Sequence, residues 1–304
     1  MSDTKTYQVS FYTTNVLDGT EQPPTLGEAF SQLVEGDLPY EFVHPVDGLV
    51  YQLRELEQMP GGRYRGVVAK FRYSDIPNIG DRSTTEERPI DLEDQEGLIE
   101  KNFFLFDPAL NLMTYQINGN GCNINRVAEI FDALATGKFG HLANVNLSPV
   151  LRPDAIERIL NGDMRVRKLE VGFSKPTNAA TWASQEQFSG ELLHLLNALG
   201  GASMNITVSA NPAGRSAVRS FLSDFVKTGV AHFAQQAPVR VSRLWFDEAS
   251  DPIDLIEDRI KGTTRPVELN GRYPEPESIF SALDQVWKKY EDDIRQVLSE
   301  SGLE

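Results

Sequence analysis

The side chains able to do chemistry are few and scattered. Nucleophilic catalysis needs a Ser or Cys beside a base. No GxSxG is present, and Cys122 sits between Gly121 and Asn123 with no histidine near it. Burial in a turn is the expected fate of that thiol. One cysteine also forbids an intramolecular disulfide and leaves a Cys-based zinc site without partners. His44, His141, His194 and His232 are far apart, with no HExxH or HxH spacing. Metal-dependent nucleases present an Asp followed by Glu-x-Lys. The nearest approach is Asp163 with Lys168-Leu169-Glu170, in the wrong order. Carboxylates crowd residues 86–96 and 247–258. An acid/base pair needs burial to separate its two pKa values, and solvated acidic loops lack it.

Asn118-Gly119-Asn120-Gly121 stands between a strand and a helix, as phosphate loops do. It lacks the lysine and hydroxyl residue of a Walker loop. Ile124 also occupies the third glycine position of GxGxxG. The passage reads as a tight turn with an Asn cap. The chain is therefore expected to be non-catalytic and without a cofactor. A nuclease or hydrolase with an unfamiliar site is the lowest alternative.

Basic residues form the remaining pattern. The net charge is −15, which argues against nucleic acid at first sight. The charge is uneven. Residues 1–100 hold 8 basic and 19 acidic side chains, whereas residues 151–243 hold 11 and 7. Arg165, Arg167 and Lys168 open one expected strand, and Lys175 closes it. Arg215, Arg219 and Lys227 fall on one expected helix, with Arg215 and Arg219 four apart on one face. Arg240 and Arg243 lie on a further strand. Were these elements neighbours, they would form a groove for phosphates that binds without reading sequence. The competing reading is ordinary surface charge paired with nearby acids such as Glu170 and Asp224.

The elements that must position these groups follow from periodicity. Tyr7–Thr14 and Tyr64–Tyr73 read as strands. Phe42–Leu53 reads as strands turning at Pro45–Gly48, and Thr25 with Glu28 has capping-box spacing before a helix over Leu26–Val34. Residues 75–95 form a long polar loop. Gly97–Phe106 and Leu112–Ile117 make a hairpin, and a helix over Asn125–Leu134 stops at Gly137. Strands and helices then alternate. They include strands at Asn144–Leu151, Val166–Ser174, Ser203–Ala210 and Val239–Phe246. Helices are expected at Pro153–Leu160, at Phe188–Leu199, and at Ser216–Lys227 with a stop at Gly229. Ile253–Ile260 and Thr263–Leu269 read as a final strand pair. A long helix from Pro276 to Ser299 carries Ile279, Leu283, Val286, Tyr290, Ile294 and Val297, spaced for core packing or a dimer seam.

The expected fold is α+β with two mixed α/β subdomains. Residues 1–140 would form a mainly antiparallel domain. Residues 141–304 would form a second domain of alternating strands and helices with the long terminal helix. The N-terminus lacks an apolar signal core, and no run approaches the ~18 apolar residues of a membrane span, so a cytoplasmic location is expected.

From Phe103 onward the chain resembles the RexA-like phage-exclusion proteins of anti-phage abortive infection. The matching residues begin with Phe103-Phe104-Leu105-Phe106, the helix before Thr136-Gly137, and Val145-Asn146-Leu147-Ser148-Pro149-Val150-Leu151-Arg152. Gly190-Glu191-Leu192-Leu193, Leu199-Gly200, Ile206-Thr207-Val208 and the helix with Arg215 and Arg219 follow. Trp287-Lys288-Lys289-Tyr290 and Asp293-Ile294 close the match. The resemblance implies a non-catalytic homodimer that binds double-stranded DNA with little sequence preference. It would act as a sensor in phage defence and signal to a co-encoded membrane or effector protein. The family pattern is Lys-rich, whereas this chain is acidic outside 151–243. That difference supports the alternative of an acidic protein-interaction or DNA-mimic module.

Overall fold

The computed structural model describes residues 3–16, 25–34, 40–45, 48–74, 76–93, 96–139, 145–160, 165–174, 187–210, 221–223, 225–234, 239–246 and 253–300. The fold is α+β, with mostly antiparallel sheets and a long C-terminal helix.

The longest apolar run in the first half, Phe103-Phe104-Leu105-Phe106, is buried at every position. Successive strand residues point to opposite faces, so such a run requires a sheet covered on both sides. The large sheet meets that requirement. It is built from β2 (Gln8–Val16), β3 (Tyr40–Val43), β4 (Val50–Gln58), β5 (Tyr64–Arg72), β8 (Leu98–Asp107), β9 (Leu112–Ile117) and β10 (Val145–Pro149). The order is β10-β2-β9-β8-β5-β4-β3, and every pairing is antiparallel.

On one face, Leu53, Tyr64, Val68, Phe104, Phe106 and Tyr115 pack under α1 (Leu26–Val34) and α2 (Ile124–Phe139). Phe30 of α1 and Phe131 of α2 meet edge to face at 5.2 Å. The capping box closes α1. Thr25 N–H donates to the Glu28 carboxylate at 2.6 Å, and Glu28 N–H donates to Thr25 Oγ1 at 3.2 Å.

On the other face, Val9, Phe11, Val67, Phe103 and Leu105 pack under α6 (Pro276–Glu300). Ile279, Leu283, Val286 and Ile294 of α6 are buried there, so its apolar spacing serves core packing. Arg63 reaches Asp284 at 2.9 Å and Arg65 reaches Glu277 at 2.7 Å, tying the helix to β5 and the turn before it.

The chain crosses between units differently from the division at residue 140. β10 pairs with β2, and β15 (Lys261–Thr263) also pairs with β2. β1 (Thr4–Lys5) pairs with β16 (Val267–Asn270), which pairs with β17 (Tyr273–Pro274). Residues 260–300 therefore belong with the first sheet, and the second unit is an insertion between β10 and β15. The expected pair around Gly262 is not a hairpin for the same reason. β14 (Ile253–Asp254) joins the second sheet and β15 the first.

The second sheet has the order β12-β11-β13-β14, from β11 (Val166–Ser174), β12 (Ser203–Ser209), β13 (Val239–Phe246) and β14. β12 and β13 are both antiparallel to β11, which lies between them. α3 (Pro153–Leu160), α4 (Gln187–Ala198) and α5 (Phe225–Ala234) supply a third core against Leu169, Val171, Phe173 and Leu244.

Two expected helix stops are not stops. α2 runs through Gly137 and α5 through Gly229. Gly229 instead marks a close approach, because a Cβ there would stand 2.7 Å from Phe188 of α4. Within the long polar loop, β6 (Ile79–Gly80) and β7 (Glu87–Arg88) form a short hairpin.

Candidate nucleic-acid interface

A regular strand would send Arg167 and Lys168 to opposite faces. β11 does not stay regular there. Its pairing with β13 shifts between Val166↔Phe246 and Lys168↔Trp245, so Arg167 is the extra residue of a β-bulge. Val166 and Leu169 are both buried, while Arg167 is exposed and Lys168 half-buried. The bulge thus turns two consecutive cations away from the core.

Around them the outer face of the sheet carries polar side chains. Lys168 and Glu170, both half-buried, alternate with the buried Leu169 and Val171, and Gly172 further along the same face is buried. Across β12, Asn205, Thr207 and Ser209 are exposed opposite Gly172, Glu170 and Lys168. Across β13, Arg243 and Trp245 alternate with the buried Ser242, Leu244 and Phe246. The three helices among the described residues of this unit lie on the opposite side, against the third core.

Cations and aromatic rings interleave on this surface. Lys168 Nζ stands 4.1 Å from the centre of the Trp245 ring system, within cation–π range. Arg165, just before the bulge, lies 5.0 Å from the Phe221 ring. Phe221 is brought there by the neighbouring Leu222, whose N–H donates to Val166 O at 2.9 Å.

Acids reach the same face at one point. Arg243 Nε donates to Asp254 Oδ2 at 2.7 Å, and its Nη1 is 4.0 Å from Glu170. The hydrogen bond and charge of Asp254, with Glu170 beyond it, hold the Arg243 guanidinium pKa above its ordinary value. Asp254 belongs to the acidic C-terminal stretch, so part of that acid does fold onto the basic elements. It neutralises Arg243, whose strand partner Glu170 lies two residues from Lys168 on β11.

The expected basic residues separate accordingly. Arg165, Arg167 and Lys168 come together. Arg243 shares their face but is committed to Asp254. Lys227 is nine-tenths buried on α5, whose Val230 and Phe233 belong to the third core, so burial withdraws it from an exposed phosphate groove. Arg240 is placed on β13 as a strand position. Lys175, Arg215 and Arg219 lie outside the described residues. Trp245 and Phe221 were not singled out by sequence pattern. The alternation Arg243-x-Trp245 was the signal for the tryptophan; the position of Phe221 depends on a long-range hydrogen bond.

The other candidates resolve simply. Cys122 is buried, and burial raises its thiol pKa far above the ordinary range, so it is no thiolate nucleophile. Among the described residues no group of three or more His, Cys, Asp or Glu could hold a metal ion. Among the same residues no helix is long and apolar enough to cross a membrane.

Fold and surface together define a class, an α+β protein in which a sheet with helices on both faces carries an inserted unit whose described helices lie on one side of its sheet. Residues 54–296 match the model of the family of unknown function DUF6731, and the chain belongs to that family. The match runs from β4 into α6, so it includes the second sheet and leaves out β1, β2, α1 and β3. No curated protein matches the chain.

Proposed function

We propose that this protein binds nucleic acid without reading sequence, through the outer face of the second sheet and the bulged start of β11. The observation that carries the reading is the β-bulge at Arg167, which presents Arg167 and Lys168 side by side next to Arg165. Guanidinium and ammonium groups gathered in this way bind phosphates by displacing counterions, and they do so on any sequence. Lys168 and Trp245 add a cation and a flat ring at the same place. An aromatic residue on an open sheet face is a platform for an unpaired base.

Duplex DNA is the ligand implied by the RexA-like order of elements, and with it a role as a non-catalytic sensor in phage defence. In that role the protein would act as a homodimer and report to a co-encoded membrane or effector protein. Trp245 favours a second reading, in which a single strand opened from the duplex is the preferred form.

Fluorescence anisotropy with a labelled 20-mer, duplex or single-stranded, tests both. Three neutralised phosphates predict an affinity for the duplex that falls about 40-fold between 50 and 200 mM salt. Binding of the single strand at least as tight as of the duplex supports the second reading. No binding of either at 50 mM salt would sink the proposal.

A further inference from the structure

Lys70 and Arg72 are two of only eight cations among the first hundred residues. They lie two apart on β5, on the face that packs under α1 and α2. Along that face the apolar core runs through Phe106 and Phe104 of β8, and then it ends. Beyond it the cross-strand partners are Val68↔Asn102, Lys70↔Glu100 and Arg72↔Leu98. Here a cavity of about 190 Å³ opens, lined by Lys70, Arg72, Leu98, Glu100, Asn120 and Arg272 with Pro77. It is smaller than the roughly 300–1,000 Å³ of sites that enclose drug-sized ligands. Its occupant is therefore a small molecule or one end of a larger one.

The charges do not balance inside it. Glu100 is taken up by Arg272, with which it forms a close ion pair, and by Asn118, whose Nδ2 donates to it at 3.4 Å. Lys70 and Arg72 have no ion-pair partner among the described residues. Lys70 is moreover half-buried. An ammonium withdrawn from water without a counter-charge favours an anionic ligand.

The polar wall is the Asn118-Gly119-Asn120-Gly121 turn, and it is held in place from beneath. Asn102, fully buried, accepts from Cys122 N–H at 2.7 Å and donates to Gln116 O at 3.0 Å. Tyr115 O–H donates to Cys122 O at 2.6 Å. Asn118 donates to Lys101 O at 3.0 Å and accepts from Asn120 N–H at 3.2 Å. Gly121 is required at its position, since a Cβ would stand 2.0 Å from Asn102 Oδ1. Asn120 is thus presented to the cavity by a fixed turn rather than a floppy loop.

We infer that this cavity is a binding site for a phosphate group, either free phosphate or the end of a phosphate monoester. The Arg72 fork and the Lys70 ammonium supply charge-assisted hydrogen bonds, and the Asn120 amide supplies a neutral one. Leu98 and Pro77 form the apolar wall against which an ester group would lie. This site is separate from the bulge of β11 and does not depend on nucleic-acid binding.

Calorimetric titration of the full chain with sodium phosphate and with glycerol 1-phosphate, at matched ionic strength in chloride, tests it. Saturable binding of at least one of them is expected below about 20 mM, weakened about tenfold by Lys70→Gln and by Arg72→Gln and unchanged by Arg295→Gln on α6. Tighter binding of the monoester names the ester as the ligand, and equal or tighter binding of phosphate names the free anion. Arg72 is exposed, so R72Q keeps the test valid even if K70Q folds poorly. No saturable binding of either probe, or binding that R72Q leaves intact, would overturn the inference.

Discussion

Reversing the three cations at the start of β11, as R165E/R167E/K168E, is expected to weaken nucleic-acid binding about 100-fold or more at 50 mM salt. Phosphate neutralisation dominates the affinity of a binder that reads no sequence, so the removal of three cations and the addition of three repulsions act together. The neutral variant R165Q/R167Q/K168Q separates the two effects. Its salt slope should flatten by about one for each phosphate that is no longer neutralised. Arg243→Gln is the internal control. Its guanidinium is bound to Asp254 at 2.7 Å, so its loss should change affinity little. None of these side chains belongs to a hydrophobic core, and the melting temperature of each variant should stay near that of the parent. Binding that survives the triple reversal would move the interface elsewhere.

Phe104→Ala is expected to cost about 3–5 kcal/mol. Its ring is fully buried and stands 5.9 Å from both Phe30 and Phe131. It therefore joins α1, α2 and the large sheet at one point. Truncation removes the transfer free energy of the ring and leaves a cavity between elements that cannot collapse independently. That loss is a large share of the roughly 5–15 kcal/mol by which a domain is stable. Urea unfolding followed by circular dichroism should show the midpoint falling with the slope unchanged. A shift below about 1 kcal/mol would show that the aromatic cluster is not the keystone of this face.

Local chemistry was legible wherever the residues that decide it are neighbours in sequence. Thr25 and Glu28 announced the start of α1. Gly97–Phe106 announced a strand, and the spacing from Ile279 to Val297 announced the long helix. Pairing at long range was not legible. β2 takes β10 and β15 as partners on one side and β9 on the other, and nothing within β15 says which sheet it will join. That is why the terminal helix was grouped with the second unit although its buried side chains meet Val9, Phe11 and Phe103.

The basic site was half legible for a related reason. Composition showed that residues 151–243 are basic, and Arg165, Arg167 and Lys168 were grouped at the start of one strand without a face for each. A bulge breaks alternation without a sequence mark of its own. At Arg167 it brings two cations to one face. The same blindness affected Gly229, where a glycine serves helix–helix approach rather than termination, and Lys227, whose burial no local pattern displays. The acidic total of −15 misled only as a sum. Asp254 shows that some of the acid does meet the basic sheet, and Arg243 is what it neutralises.

Zero-length ultraviolet cross-linking of the full chain to single-stranded and duplex oligonucleotides at 50 mM salt, with the linked peptides identified by mass spectrometry, tests the central claim most directly. The account predicts adducts within residues 165–174 and 239–246, with Trp245 among the linked positions and the yield falling steeply as salt rises. Adducts confined to the large sheet or to α6, or a yield insensitive to salt, would contradict it.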